Sequence, residues 1–96
     1  MAAKSQQRNP VAIAFGAVLR EARTQTGQSQ EALGLACDID RTYVSLLERG
    51  ERQPTLGTLF ALSGQLGVPP ELLVAQTAEE LRRASSSSPV RGQRKS

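Results

Sequence analysis

Only Cys37, Asp38 and Ile39 stand between Ala36, at the end of one short helical stretch, and Asp40, at the start of the next. Two helices joined by so few residues must turn tightly on each other and cross steeply. Asp40 can cap the second helix by accepting the free amide protons of its first turn, and Ile39 is placed to pack on Val44 as a hydrophobic staple. Gly50 supplies the stop, because glycine takes the left-handed conformation that ends a helix at the lowest cost. Asp40 to Gly50 is therefore expected to be a short, sharply bounded helix.

At about 100° per residue, Tyr43, Val44 and Leu47 fall on one side of that helix and Arg41, Thr42, Ser45, Leu46 and Arg49 on the other. The first side is a core stripe. The second carries two guanidiniums, two hydroxyls and an aliphatic chain, groups that can read base edges or hold phosphates in a major groove. The helix is accordingly read as a recognition helix.

The 96 residues suffice for one domain with a modest core and too little volume for a deep catalytic cavity. The chain contains no His, and its single Cys37 can form neither an intrachain disulfide nor a thiolate metal cluster. The expectation is a non-enzyme with no metal and no cofactor, in a reducing cytoplasm. The net charge of +3 is unevenly spread. Lys4 and Arg8 lie at the start, and residues 77–96 hold five basic groups against Glu79 and Glu80. Residues 11–76 have five Arg and seven Asp or Glu. Bulk basicity thus gives no argument for nucleic-acid binding by the folded part, and the case rests on where its few arginines sit. The apolar run Val11 to Leu19 ends in Arg20, Glu21 and Arg23, well short of the ~20 residues a bilayer span requires, so no membrane association is expected.

Residues 1–9 are expected to form a flexible arm, residues 10–76 the domain, and residues 77–96 a helix extension followed by a disordered, Ser-rich basic tail. Asn9-Pro10 has the form of a cap followed by proline at the first helical position. Phe15, Val18, Leu19 and Ala22 then give one buried stripe, with Gly27 as the stop. Ser29 caps a second helix with Ala32, Leu33 and Ala36 inward. Thr55 caps a fourth, whose inward stripe is Leu59, Leu62 and Leu66, joined by Leu56, with Gly67 as the stop. A fifth starts at Pro69-Pro70 with Leu72, Leu73 and Val74, and can run on to Arg83 with a Glu79 to Arg83 pair. The predicted class is all-α, a compact five-helix unit built around a helix-turn-helix.

In this order, Leu19-Arg20 with Arg23, Gly27, Ser29-Gln30-Glu31 with Leu33, Tyr43-Val44-Ser45 with Glu48-Arg49-Gly50, Pro54-Thr55-Leu56 with Leu59, and Leu66-Gly67-Val68 resemble the Cro-like, phage-repressor or XRE-type family of helix-turn-helix regulators. The resemblance implies a repressor-like DNA-binding domain that works as a homodimer on a two-fold symmetric operator of double-stranded DNA. By that analogy Arg41, Thr42, Ser45 and Leu46 face bases, while Gln30, Tyr43, Arg49 and Arg52 meet phosphates. Arg23 and Glu48 would form a structural ion pair. Leu46 stays open between a thymine methyl, the core and a dimer contact, and Tyr43 between packing and phosphate. Leu72, Leu73 and Val74 are expected either to close the core or to form the dimer seam, with the seam favoured.

Gly34 stands where the family prefers Ala, and Asp38 where it prefers Gly. The simplest function implied is a transcriptional repressor in the cytoplasm, associated with the nucleoid. Asp-Arg-Thr-Tyr-Val-Ser resembles the recognition helix of restriction-modification controller proteins, which makes that role the alternative. An antitoxin-type module, binding a protein partner through the fifth helix or the tail, is the reading from a different class.

Overall fold

The computed structural model describes residues 9–86 and folds them into five helices: α1 (Pro10–Thr26), α2 (Gln30–Cys37), α3 (Arg41–Glu48), α4 (Leu56–Leu66) and α5 (Pro70–Ser86). No strand occurs among the described residues, in keeping with the all-α expectation. The arm at residues 1–8 and the tail at residues 87–96 lie outside them. No helix of the described part is long and apolar enough to cross a membrane.

The first four helices begin where a cap was expected. Asn9 accepts from the Val11 amide at 2.7 Å with Pro10 at the first helical position. Ser29 accepts from Ala32 at 3.0 Å, Asp40 from Thr42 at 3.1 Å and Thr55 from Thr58 at 3.1 Å. Such bonds satisfy amides that have no partner inside the helix, each contributing about 1 kcal/mol.

The turn after α2 closes with Asp38 at φ 60°, the left-handed region that Asp enters more readily than most side chains. Its amide donates to the Leu35 carbonyl at 3.2 Å, and that of Ile39 to the Gly34 carbonyl at 2.9 Å, the paired bonds of a Schellman stop. This geometry accounts for Gly34. A Cβ built there would lie 2.7 Å from the Ile39 carbonyl oxygen, so the close return of the chain favours a residue with no side chain.

The core joins Phe15, Val18, Leu19 and Ala22 of α1, Leu33 of α2, Val44 and Leu47 of α3, Leu59, Leu62 and Leu66 of α4, and Leu73 of α5. Cys37, Ile39, Tyr43 and Val68 pack on its edge. α1 is the central element, in contact with α3, α4 and, most extensively, α5.

Several inward positions differ from expectation. Ala32 and Ala36 are exposed, because α2 turns Leu33 and Gly34 inward and leaves Cys37 at the edge. Leu56 is 73% exposed, since the α4 stripe reaches the core only from Leu59 onward. Leu73 is fully buried within the single chain, which removes it from the expected dimer seam and leaves only its neighbours Leu72 and Val74 exposed.

α5 does continue past Arg83, to Ser86. Thr77 is buried and donates to the Leu73 carbonyl at 2.8 Å, so the expected boundary at residues 76 and 77 falls inside a packed helix. The ion pairs on its surface are Arg82 with Glu79 and Arg83 with Glu80, three apart, instead of Glu79 with Arg83. All four side chains are at least partly open to water, where such pairs contribute little to stability.

Candidate nucleic-acid interface

Val44 and Leu47 anchor α3 in the core with no exposed surface. The opposite side of this short helix is therefore held toward solvent. Arg41 and Thr42 are exposed at its first turn, and Ser45 and Leu46 are partly exposed one turn on. All four expected base-reading residues thus retain accessible surface, with Leu46 and Ser45 set lower than the first two.

The two ends of α3 are fixed differently. Its start is tied to α2 by the tight turn, through the Asp40 cap and the edge packing of Ile39. Its end is closed by a second Schellman stop, in which Gly50 at φ 76° donates to Leu47 at 3.1 Å and Glu51 donates to Leu46 at 2.9 Å.

Beneath the C-terminal end lies the expected ion pair. Arg23 Nε donates to Glu48 Oε2 at 2.5 Å and Nη2 to Oε1 at 3.0 Å, a two-pronged contact with side chains 12% and 3% exposed. Hydrogen bonding to Glu48 pushes the guanidinium above its ordinary pKa, against the lowering effect of burial and with further help from the glutamate charge. The arginine therefore stays charged throughout the working pH range, and any stability gained from the shift is lost only as pH rises beyond that range.

Two further bonds extend the pair into a network. Arg23 Nη1 donates to the Gln28 carbonyl at 2.9 Å, and Gln30 Nε2 donates to Glu48 Oε1 at 3.0 Å. One hydrogen of the Gln30 side-chain nitrogen goes to Glu48, so the residue braces α2 against the end of α3 while the second hydrogen remains for the expected phosphate. Tyr43 is likewise engaged, with its hydroxyl donating to the Gln53 carbonyl at 3.4 Å and its ring packed at the core edge. It ties α3 to the following loop.

Arg49 and Arg52 are exposed. Arg49 Nε reaches the Ser45 carbonyl at 3.4 Å, and its Nη1 lies 3.9 Å from Glu51, a loose contact that leaves the guanidinium available to an anion. Cys37 donates weakly to the Ala61 carbonyl at 3.5 Å, and burial pushes its thiol pKa up. That is the reverse of what a reactive, redox-sensing thiolate requires.

Sequence reasoning missed Gly16. A Cβ at this position in α1 would lie 2.5 Å from the Leu47 carbonyl oxygen and 2.6 Å from that of Glu48. The available signal was a glycine in the interior of a helix, which costs up to ~1 kcal/mol relative to Ala unless something requires it.

The helix-turn-helix family model matches residues 19–73. Control protein C.BamHI of Bacillus amyloliquefaciens is 39% identical over 67 residues, covering 69% of this chain and 83% of that protein. Among solved structures, the restriction-modification controller protein C.AhdI of Aeromonas hydrophila is 40% identical, with a TM-score of 0.63 over 65% of this chain and 94% of its own. The clp gene regulator ClgR of Corynebacterium glutamicum, 23% identical, shares the fold with a TM-score of 0.79 over 84% of this chain and 86% of its own. With its matching motifs, helix order and fold, the chain belongs to the XRE-type helix-turn-helix family.

Proposed function

We propose that this protein is a sequence-specific transcription regulator that inserts the exposed side of α3 into the major groove of double-stranded DNA. The observation that carries the reading is the presentation of Arg41 and Thr42 on an eight-residue helix anchored by buried Val44 and Leu47, with Ser45 and Leu46 beside them. Arg41 and Thr42 read bases directly, and Leu46 meets a thymine methyl. Arg49 and Arg52 hold phosphates.

The active form is a homodimer, because one short helix touches few base pairs and a second copy about 34 Å away doubles the readout. Leu72 and Val74 of α5, with Leu56 and Phe60 one turn apart on α4, remain exposed and furnish apolar surface for the seam. The role that fits the relatives best is control of a restriction-modification system, since C.AhdI, 40% identical, is a restriction-modification controller protein and C.BamHI and C.MunI, each 39% identical, are control proteins. Occupancy of the operator then represses whatever promoter it overlaps.

Selection of bound duplexes from a random pool tests the reading, repeated with Arg41→Ala and Thr42→Ala. Each variant is expected to lose preference at particular positions, about 1–3 kcal/mol per lost contact, while nonspecific binding persists. An unaltered consensus in both variants refutes the assignment. Light scattering of wild type and Phe60→Asp tests the seam, with dimer expected for the first and monomer for the second.

A further inference from the structure

We propose that Gly16 is a positioning residue for DNA reading: by bringing the backbone of α1 against the last carbonyls of α3, it sets the tilt at which Arg41, Thr42, Ser45 and Leu46 are presented. The inference rests on the reading that α3 recognises DNA.

Gly16 is buried in the middle of α1, a helix that is packed along α5 and so is itself held in place. A Cβ there would meet the Leu47 oxygen at 2.5 Å, the Glu48 oxygen at 2.6 Å and the Glu48 carbonyl carbon at 2.9 Å. All three are main-chain atoms, which cannot swing aside as the end of a flexible side chain can. A methyl group at position 16 must therefore push the two helices apart.

A second contact repeats the pattern one turn away on α1. A Cβ at Gly50 would lie 2.8 Å from the Ile13 Cα and 2.9 Å from its Cγ1, so the chain leaving α3 also rests on α1, on both the backbone and the side chain of Ile13. Arg23, seven residues beyond Gly16 and hence on the same side of α1, grips Glu48 from the other direction. The C-terminal end of α3 is seated by Ile13, Gly16 and Arg23, whereas its N-terminal end hangs from the turn after α2.

With eight residues at about 1.5 Å each, α3 is a lever roughly 12 Å long. Raising one end by even a fraction of the methyl overlap tilts the helix about the other. Ser45, Leu46 and Arg49 then shift relative to Arg41 and Thr42, and side chains that must meet base edges together no longer do so. Phosphate contacts from mobile arginines tolerate such a shift better, because they need charge and reach more than alignment.

The test compares full-length wild type, Gly16→Ala and Ala17→Gly on a duplex selected from a random pool and on a scrambled duplex, below the melting temperature of each protein. Ala17 is exposed, so its replacement lowers helix propensity without adding an atom between α1 and α3. Gly16→Ala is expected to lower the ratio of specific to nonspecific affinity by about tenfold, the size of one lost base contact, with the salt slope kept. Ala17→Gly is expected to leave the ratio unchanged. An undiminished ratio in folded Gly16→Ala overturns the proposal, as does an equal loss in Ala17→Gly. If Gly16→Ala does not fold, Ile13→Ala loosens the same seat, and an unchanged ratio there overturns it too. Absence of any sequence preference in wild type defeats the DNA-reading assignment itself, which separates the two failures.

Discussion

Replacing Glu48 by Ala tests the framework that holds α3. The carboxylate is 3% exposed and accepts from three donors: Nε and Nη2 of Arg23 and Nε2 of Gln30. Without it, Arg23 keeps one bond, to the Gln28 carbonyl, while its charge stays in a site only 12% exposed. Breaking a buried pair from one side costs about 3–5 kcal/mol, chiefly through the charge left behind. The lower end applies here, because Arg23 retains the Gln28 carbonyl and some access to water. A loss of about 3 kcal/mol lowers the melting temperature of a domain this size by roughly 12–24 °C. Thermal melts followed by circular dichroism give the shift, and duplex binding below the transition gives the accompanying loss of affinity. The double variant Arg23→Met with Glu48→Met is expected to be more stable than either single one, since it removes both charges and retains volume. An unchanged melting temperature in Glu48→Ala, or strictly additive losses in the double variant, would refute the buried-pair account.

Gly34→Ala is expected to destabilise by about 1 kcal/mol in urea unfolding: the ~1 kcal/mol gain in helix propensity is outweighed by overlap with the Ile39 carbonyl at 2.7 Å, and a stabilised variant would contradict this. Cys37 should react with iodoacetamide at mildly alkaline pH more slowly in the native protein than in urea, because burial raises its pKa and the thiolate is the nucleophile. The same raised pKa stabilises the fold below the ordinary thiol range, and that contribution is lost as pH climbs through the native value, so melting temperatures should decline at alkaline pH less in Cys37→Ala than in wild type. Equal native and denatured alkylation rates would show that the thiol is not shielded.

Much of the helix plan could be read from local chemistry. Asn9, Ser29, Asp40 and Thr55 bond the amides of their own first turns, and Gly27, Gly50 and Gly67 take the positive φ that ends a helix. These are contacts between near neighbours, and a pattern of residue types suffices to place them. The core stripes of α1 and α3 follow in the same way from the helical period. What escaped depends on the distance between helices. Leu73 and Leu72 are adjacent and equally apolar, and only the packing of α5 decides that one is buried and the other exposed. The brace from Gln30 to Glu48 is not legible locally, because nothing in the helix of Gln30 shows that Glu48, eighteen residues on, comes within 3.0 Å. Gly16 and Gly34 look like weaknesses in their helices until the carbonyls of α3 and of the turn are brought against them.

These same interhelical contacts bear on how such a chain can discriminate between DNA sequences. Residues 9–86 hold seven arginines against nine carboxylates, so the described fold has no general attraction for a polyanion. Arg23 is held by Glu48, Arg82 by Glu79 and Arg83 by Glu80, so three of the seven are paired off. Near α3 the positive charge is concentrated in Arg41, Arg49 and Arg52, with Glu48 buried beneath and Glu51 close to Arg49. An interface with so few cations gains little on an arbitrary duplex, and its preference for one sequence must come from simultaneous alignment of a few groups with base edges. Alignment is a property of the seat of α3 as much as of its exposed face. If α3 reads DNA as proposed, substitutions at Gly16, Arg23, Gly34 and Glu48, which lie behind its exposed face, are expected to alter sequence preference as well as those at Arg41 and Thr42.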